Sequence, residues 1–303
     1  MFETARLAKR CYKFFKENKE QIKEGIPDLK VIYSDLDGTL FNDQGCIIKD
    51  AGDKYYFGAL SLLEKINEKG WDLVLVSGRN KYQLRYNAQM IGVKNYIAEL
   101  GSELVYDLGK DVHVTFDNGK ENFDITYEGK DLIRIMELLM TEFPGKIESR
   151  MEWSRYRSFN ALFFGEIDLD EANKLLETEG YGSLVLVDNG FSNLVDLRLK
   201  VDRLHIYNLM PRGVTKANGV RLDKKLRGFK DKNCIALGDS LEDLKMAGEV
   251  KYFFLMKNAL EHEEELETEL QKYNNVFIAE GIMNRGWFEV MSELLGKNSL
   301  ASK

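Results

Sequence analysis

Residues 31–41 read VIYSDLDGTLF. A short, mostly apolar run ends in Asp35 and Asp37, one residue apart, and Gly38 and Thr39 follow at once. Residues two apart on an extended chain project to the same side, so both carboxylates face one site if the strand geometry persists to its end. Like charges at the mouth of a buried strand repel each other and resist dehydration, a conflict that a cation would relieve. Gly38 permits the turn that comes next. Thr39 offers a hydroxyl and a backbone N–H to an anion.

Outward from this strand, β-rich runs alternate with helix-length amphipathic segments. FGALSLLEKINEKG is predicted to be a helix stopped by Gly70, WDLVLVSGR a strand, NKYQLRYNAQMIG a helix and NYIAE a strand. The alternation returns late in the chain. GVTKANGVRLDKKLRG reads as a helix, NCIALGDS as a strand and LEDLKMAGE as a short helix. VKYFFLM, an acidic helix from Ala259 to Gln271, NVFIA and a last helix around GWFEVMSELLG complete the series. Strands alternating with helices imply an α/β fold, a Rossmann-like, mostly parallel sheet covered on both faces.

Residues 103–204 break the pattern. SELVYDLGKDVHVTFD looks like a hairpin, YEGKDLIRIMELLMTEF a helix, SFNALFFGEID a strand and LDEANKLLETEG a helix. SLVLVDNGFSNLVDLRL looks like a second hairpin turning at DNG. The expected organisation is an N-terminal amphipathic extension (1–30), a core domain (31–102 and 205–303) and an α+β domain inserted at 103–204.

Ligands of open parallel sheets bind at the carboxyl ends of the strands. Four such places carry suitable residues: Asp35 to Thr39; Ser77, Gly78 and Arg79; Lys216 at or near a helix start, a setting that favours anions; and Asp239, Ser240, Glu242 and Asp243. Carboxylates, one lysine and two hydroxyls at one sheet edge suit a divalent metal and a phosphate. Mg²⁺ takes oxygen ligands, commonly one or two carboxylates with substrate phosphate and water. A carboxylate can attack phosphorus, and a second can move the proton.

In this order the four segments resemble the signature of the haloacid dehalogenase superfamily of phosphatases: DLDGT, SGR, Lys216 and GDSLED. The resemblance spans roughly residues 31–102 and 205–296. It implies Asp35 as nucleophile and metal ligand, and Asp37 as general acid/base that also binds metal through its carbonyl. Thr39, Ser77, Gly78 and Lys216 would bind phosphate. Asp239 would be a metal ligand, with Asp243 and Ser240 behind it. Asp37 favours phosphoryl transfer over dehalogenation. The insertion point corresponds to that of relatives with a type-II cap, the subclass of Cof-like sugar phosphatases, in which the cap selects the leaving group. The implied activity is Mg²⁺-dependent hydrolysis of a small phosphate monoester through an aspartyl-phosphate. A phosphomutase of the same fold and a non-catalytic binding protein are the alternatives. The sequence differs from many relatives in carrying Glu242 before Asp243, Ala217 after the lysine, and LGS at Leu100 to Ser102.

Some residues keep two readings. Arg79 either holds substrate or pairs with a surface acid. Arg150, Arg155 and Arg157 either meet an anionic leaving group or line a solvated strand edge. Glu242 points to solvent or to the metal, solvent being favoured. Leu7, Cys11, Phe14, Phe15 and Ile22 recur at helical spacing, so the N-terminal segment is expected to pack on its own domain, with a partner or second-subunit interface as the alternative.

A net charge of −7 gives no general attraction to nucleic acid or an anionic membrane. No apolar stretch approaches the ~20 residues of a membrane helix. Three cysteines, odd in number and widely spaced, suggest reduced thiols in a cytoplasmic protein.

Overall fold

The computed structural model describes residues 12–115, 123–191, 198–261 and 266–296. Twelve strands form two sheets. In chain order they are β1 (Val31–Ser34), β2 (Asp72–Val76), β3 (Asn95–Ala98), β4 (Glu103–Tyr106), β5 (Asp111–Val114), β6 (Ile147–Ser149), β7 (Ala161–Gly165), β8 (Leu184–Phe191), β9 (His205–Pro211), β10 (Cys234–Gly238), β11 (Tyr252–Leu255) and β12 (Val276–Ile278). The larger sheet runs β12-β11-β10-β1-β2-β3-β4-β5, and the smaller β6-β7-β9-β8.

From β12 to β3 every pairing in the larger sheet is parallel. Its central strands are apolar on both faces because helices cover both. Ile32, Leu75, Leu237 and Phe254 pack into one cluster with Phe15, Leu84 and Trp287 from flanking helices. Tyr33, Val74, Ala236 and Phe253 point the other way, against Val220, Leu244 and Leu266. The N-terminal helix Phe15–Gly25 joins the first cluster: Phe15 and Ile22 are buried, and Phe15 meets Phe254 edge to face. It therefore packs on its own sheet, while Leu7 and Cys11 lie outside the described residues.

Three expectations change. The hairpin β4–β5 extends the larger sheet, antiparallel to β3, and is not part of the inserted domain's sheet. Leu104 and Val105 are buried on opposite faces and continue both core layers outward. Conversely β9, expected in the core, pairs antiparallel with both β7 and β8 in the smaller sheet. The DNG at 188–190 is a β-bulge inside β8, whose partner is β9; residues 192–197, the expected second arm of that hairpin, lie outside the described residues.

Two helices are shorter than expected. The first splits into Gly58–Ser61 and Leu63–Glu68. The acidic one is a 3₁₀ turn, Lys257–Glu261, and a helix, Leu266–Leu270, residues 262–265 lying outside the described set.

One face of the smaller sheet packs on the helices Lys130–Glu142 and Leu169–Thr178, burying Phe163, Tyr207 and Leu209 with Leu132, Ile135 and Leu176. The other face meets the core through Met210, Val185 and Val187, which pack with Leu100.

Candidate active site

Strand order places β10, β1 and β2 side by side, so their carboxyl ends adjoin. Asp35 follows β1 and is nearly inaccessible. Its Oδ1 accepts a hydrogen bond of 2.7 Å from Lys216 Nζ. The same ammonium donates to Asp243 Oδ1, also at 2.7 Å. Lys216 opens the helix Lys216–Arg227, whose N-cap Thr215 accepts from the Asn218 N–H. Asp243 Oδ2 accepts from the Asp239 and Ser240 N–H groups and from Ser240 Oγ. Ser240 Oγ accepts in turn from the Asp243 N–H, so the fourth motif is a capping box that fixes Asp243 under the lysine.

Asp239 is held at both oxygens. Thr39 Oγ1 donates to Oδ1 at 2.8 Å, and Asn258 Nδ2 to Oδ2 at 2.9 Å. Asn258 also reaches the Gly38 carbonyl and takes the Met283 N–H on its own Oδ1. Gly38 has φ +84°, and a Cβ there would stand 2.2 Å from Asp239 Oδ2. Any other residue would push apart the two strand ends that form the site.

Asp35, Asp239 and Asp243 offer carboxylate oxygens within 4.8 Å of one another. Burial raises the pKa of Asp35 well above the usual carboxylate range; Asp243 and Asp239 add to this and Lys216 opposes it. Burial alone would lower the pKa of Lys216, but Asp243 and Asp35 outweigh it and push it up, so the ammonium stays charged. An all-oxygen donor set with excess negative charge fits a hard divalent cation. Asp243 already has both oxygens occupied, which leaves Asp35 and Asp239 as the carboxylates for such an ion.

Asp37, one step further out, forms a bidentate pair with Arg79: Nε donates to Oδ2 at 2.8 Å, and Nη2 to Oδ1. Arg79 is fixed by Asn87 Oδ1, which accepts from its Nη1 at 3.0 Å. The acid that Arg79 pairs with is therefore Asp37 itself. Ser77 is buried at the exit of β2, and its Oγ accepts the Arg79 N–H at 3.2 Å. Gly78 lies under the smaller sheet, where Arg157 Nη1 donates to its carbonyl at 2.8 Å.

Other candidate residues fall elsewhere. Thr39 gives its N–H to the Leu36 carbonyl and its hydroxyl to Asp239, so it positions a carboxylate. Glu242 faces neither solvent nor the carboxylate cluster; it accepts from the Lys216 N–H and from Lys245, capping the lysine's helix. Arg150 pairs with Glu148 and lies over Phe164. Arg155 lies over Tyr127. Of these three cap arginines, Arg157 alone is shown touching a strand-exit loop. Asn258, Asn87 and Glu99 were missed in sequence. Isolated polar residues after apolar runs carry no periodic signal.

Carboxylates on adjoining strand ends, bridged by a buried lysine and roofed by an inserted domain, define a class. Residues 32–276 match the haloacid dehalogenase-like hydrolase family, and the chain belongs to it. Among curated proteins it is 24% identical over 251 residues to the glucosyl-3-phosphoglycerate/mannosyl-3-phosphoglycerate phosphatase of Persephonella marina, covering 73% of this chain and 82% of that one. It is 24% identical to the phosphoglycolate phosphatase of Methanothrix thermoacetophila, covering 72% and 79%. Among solved structures, the sucrose-phosphatase of Synechocystis superposes with a TM-score of 0.59 at 13% identity, covering 88% of this chain and 97% of that one. A haloacid dehalogenase-like hydrolase from Bacteroides thetaiotaomicron gives 0.60 at 17% identity, covering 88% and 99%. Among the described residues no helix is long and apolar enough to cross a membrane.

Proposed function

We propose that the protein is a Mg²⁺-dependent phosphomonoesterase that hydrolyses a small phosphorylated metabolite through an aspartyl-phosphate on Asp35. The observation that carries this reading is the position of Lys216 Nζ, 2.7 Å from both Asp35 Oδ1 and Asp243 Oδ1 and buried with them. An ammonium has three N–H donors, and two are used here. The third is free for a phosphoryl oxygen.

Asp35 and Asp239 would hold the cation. When bound, it neutralises charge on the phosphoryl oxygens and offsets the repulsion among the carboxylates. Lys216 orients the phosphoryl group against Asp35, and Ser77 Oγ and the Gly78 N–H bind its other oxygens. A carboxylate oxygen of Asp35 attacks phosphorus; the ester P–O bond breaks, and the leaving oxygen takes a proton from Asp37. Asp37, now ionised, takes a proton from water. That water attacks phosphorus, the Asp35–phosphorus bond breaks, and phosphate leaves.

Asp37 cannot donate a proton while both its oxygens are held by Arg79. The described arrangement is therefore a resting state, and the Asp37–Arg79 pair opens before the acid step. Closure of the inserted domain excludes water from the mixed anhydride.

The test is phosphate release from a panel of phosphate esters with Mg²⁺, with chelator, and with the Asp35→Asn variant. Activity is expected with Mg²⁺ only and in the wild type only. Equal inertness of wild type and variant across the panel would overturn the proposal, and an isomerised sugar phosphate without free phosphate would make the protein a mutase.

A further inference from the structure

The smaller sheet turns an unusual face toward the core. Along β9, Tyr207 and Leu209 enter the packed side with the helices, so alternation sends Asn208 and Met210 to the other side. Along β7, Ala161 and Phe163 are on the packed side, which sets Asn160, Leu162 and Phe164 beside Asn208 on the core-facing one. Met210 and Val187 on this face touch Leu100. The Leu100 N–H donates to the Ser77 carbonyl, and its side chain lies 3.3 Å from where a Cβ on Gly78 would stand. The face is thus the ceiling over the loop assigned to phosphate.

Two amides sit in this ceiling, each 1% exposed: Asn160 and Asn208. Both the Nδ2 and the Oδ1 of Asn208 lack a hydrogen-bond partner, as do Asn160 Nδ2 and Arg157 Nε. Buried polar atoms in native proteins are paired almost without exception, so several orphans on one surface call for a ligand. Asn160 is not loosely placed. Arg157 Nη1 donates to its Oδ1 at 2.8 Å and to the Gly78 carbonyl, which leaves the Asn160 donor turned to the same space.

We infer that this ceiling recognises a neutral, polyhydroxylated leaving group, such as a sugar or polyol, through Asn208 and Asn160. The inference rests on the phosphomonoesterase reading above and adds the substrate class. A hydroxyl both donates and accepts, and so complements an amide that presents both with either orientation of its side chain. A carboxylate or second phosphate is acceptor-only when ionised, and would leave the Asn208 carbonyl facing an anion. The one cation close by, Arg157, is bound to the Gly78 and Asn160 oxygens and faces the Glu99 carboxylate, so its charge is already balanced. Leu162, Phe164 and Val187 give the apolar surround expected of a site that selects by a few placed polar groups.

The variant to test is Asn208→Leu, close in volume and without polar atoms, compared with wild type on a hexose 6-phosphate, a hexitol phosphate, phosphoglycolate and p-nitrophenyl phosphate. In the wild type, kcat/KM is expected to be higher for the hexose or hexitol ester than for phosphoglycolate. In the variant, the ratio of kcat/KM for the hexose ester to that for p-nitrophenyl phosphate should fall by about tenfold or more. An unchanged ratio, or a wild-type preference for phosphoglycolate, would overturn the inference. Calorimetric binding of the hexose 6-phosphate to both proteins separates the two claims. Weaker binding to Asn208→Leu in a protein that hydrolyses nothing would uphold the ceiling and remove the esterase. Equal binding would remove the ceiling whatever the activity.

Discussion

Arg79 grips Asp37 with a two-pronged guanidinium fork and is itself pinned by Asn87, so the second carboxylate of the signature is held away from the first. The two aspartates at the end of β1 are thereby kept apart in role. Asp35 is locked to Lys216 in the buried floor, and Asp37 is the half-exposed one, free to move once its pair opens. Proton transfer by a positioned side chain contributes roughly 10²–10⁴-fold. Asp37→Asn is expected to lose about that much on alkyl phosphates, whose leaving oxygen needs a proton. On p-nitrophenyl phosphate, which leaves without one, formation of the phosphoenzyme should lose far less. Rapid-quench measurement of both substrates checks it, and equal losses would sink the acid role of Asp37.

Lys216 is the sole cation hydrogen-bonded to both Asp35 and Asp243 among the described residues. Removing one partner of a buried charge cluster strands the others, at a cost of about 3–5 kcal/mol. Lys216→Met should therefore destabilise the chain by about that amount in urea unfolding. Mg²⁺ should restore part of the loss, since it supplies charge at the same carboxylates. A variant as stable as wild type without metal would show that the cluster is protonated and not ion-paired.

Metal binding has its own signature in stability. A ligand that binds only the folded state stabilises it by about 2.7 kcal/mol at a hundredfold excess over Kd. Mg²⁺ is expected to raise the melting temperature of the wild type, and chelator to reverse it. Asp239→Asn should abolish the shift, because Asp239 is one of the two carboxylates with room for the ion. Thermal denaturation with and without Mg²⁺ reads this directly, and a full shift in the variant would remove Asp239 as a ligand.

What was legible in the sequence follows from how local each signal is. The strand exits at Asp35, Ser77 and Asp239 and the helix start at Lys216 are each set by a few adjacent residues, and the parallel order then brings them together. Sheet membership is not local. SELVYDLG and HIYNLMP both read as strands, but which sheet takes each is decided by pairing with β3 in one case and with β7 and β8 in the other. Glu242 and Thr39 were visible as polar residues next to a motif, yet their partners are distant backbone and side-chain groups. Asn208 is hidden most completely, as one amide in an apolar run whose meaning depends on which face of the strand it occupies.

Glu99 joins core and inserted domain: its two oxygens accept the Ser158 and Phe159 N–H groups at 2.8 and 2.9 Å. Burial lifts its pKa from 4.5 to about 7, opposed by Arg157 and by those two N–H groups, with the Glu103 carboxylate adding to the rise. Lys81, paired with Glu103 and donating to Ser158 Oγ, is the other charge near this contact. The folded chain thus keeps a proton that the unfolded chain has lost between about pH 4.5 and pH 7. The stabilisation is fully present below the lower value and is lost as pH rises through the upper one, by at most on the order of 3 kcal/mol. Glu99→Gln, which cannot titrate and still offers one acceptor, should flatten that part of the stability–pH curve. Urea unfolding of both proteins from pH 4.5 to 8 tests this. A wild-type curve that rises through this window would mean that Glu99 is ionised throughout, held by the two N–H groups and Arg157.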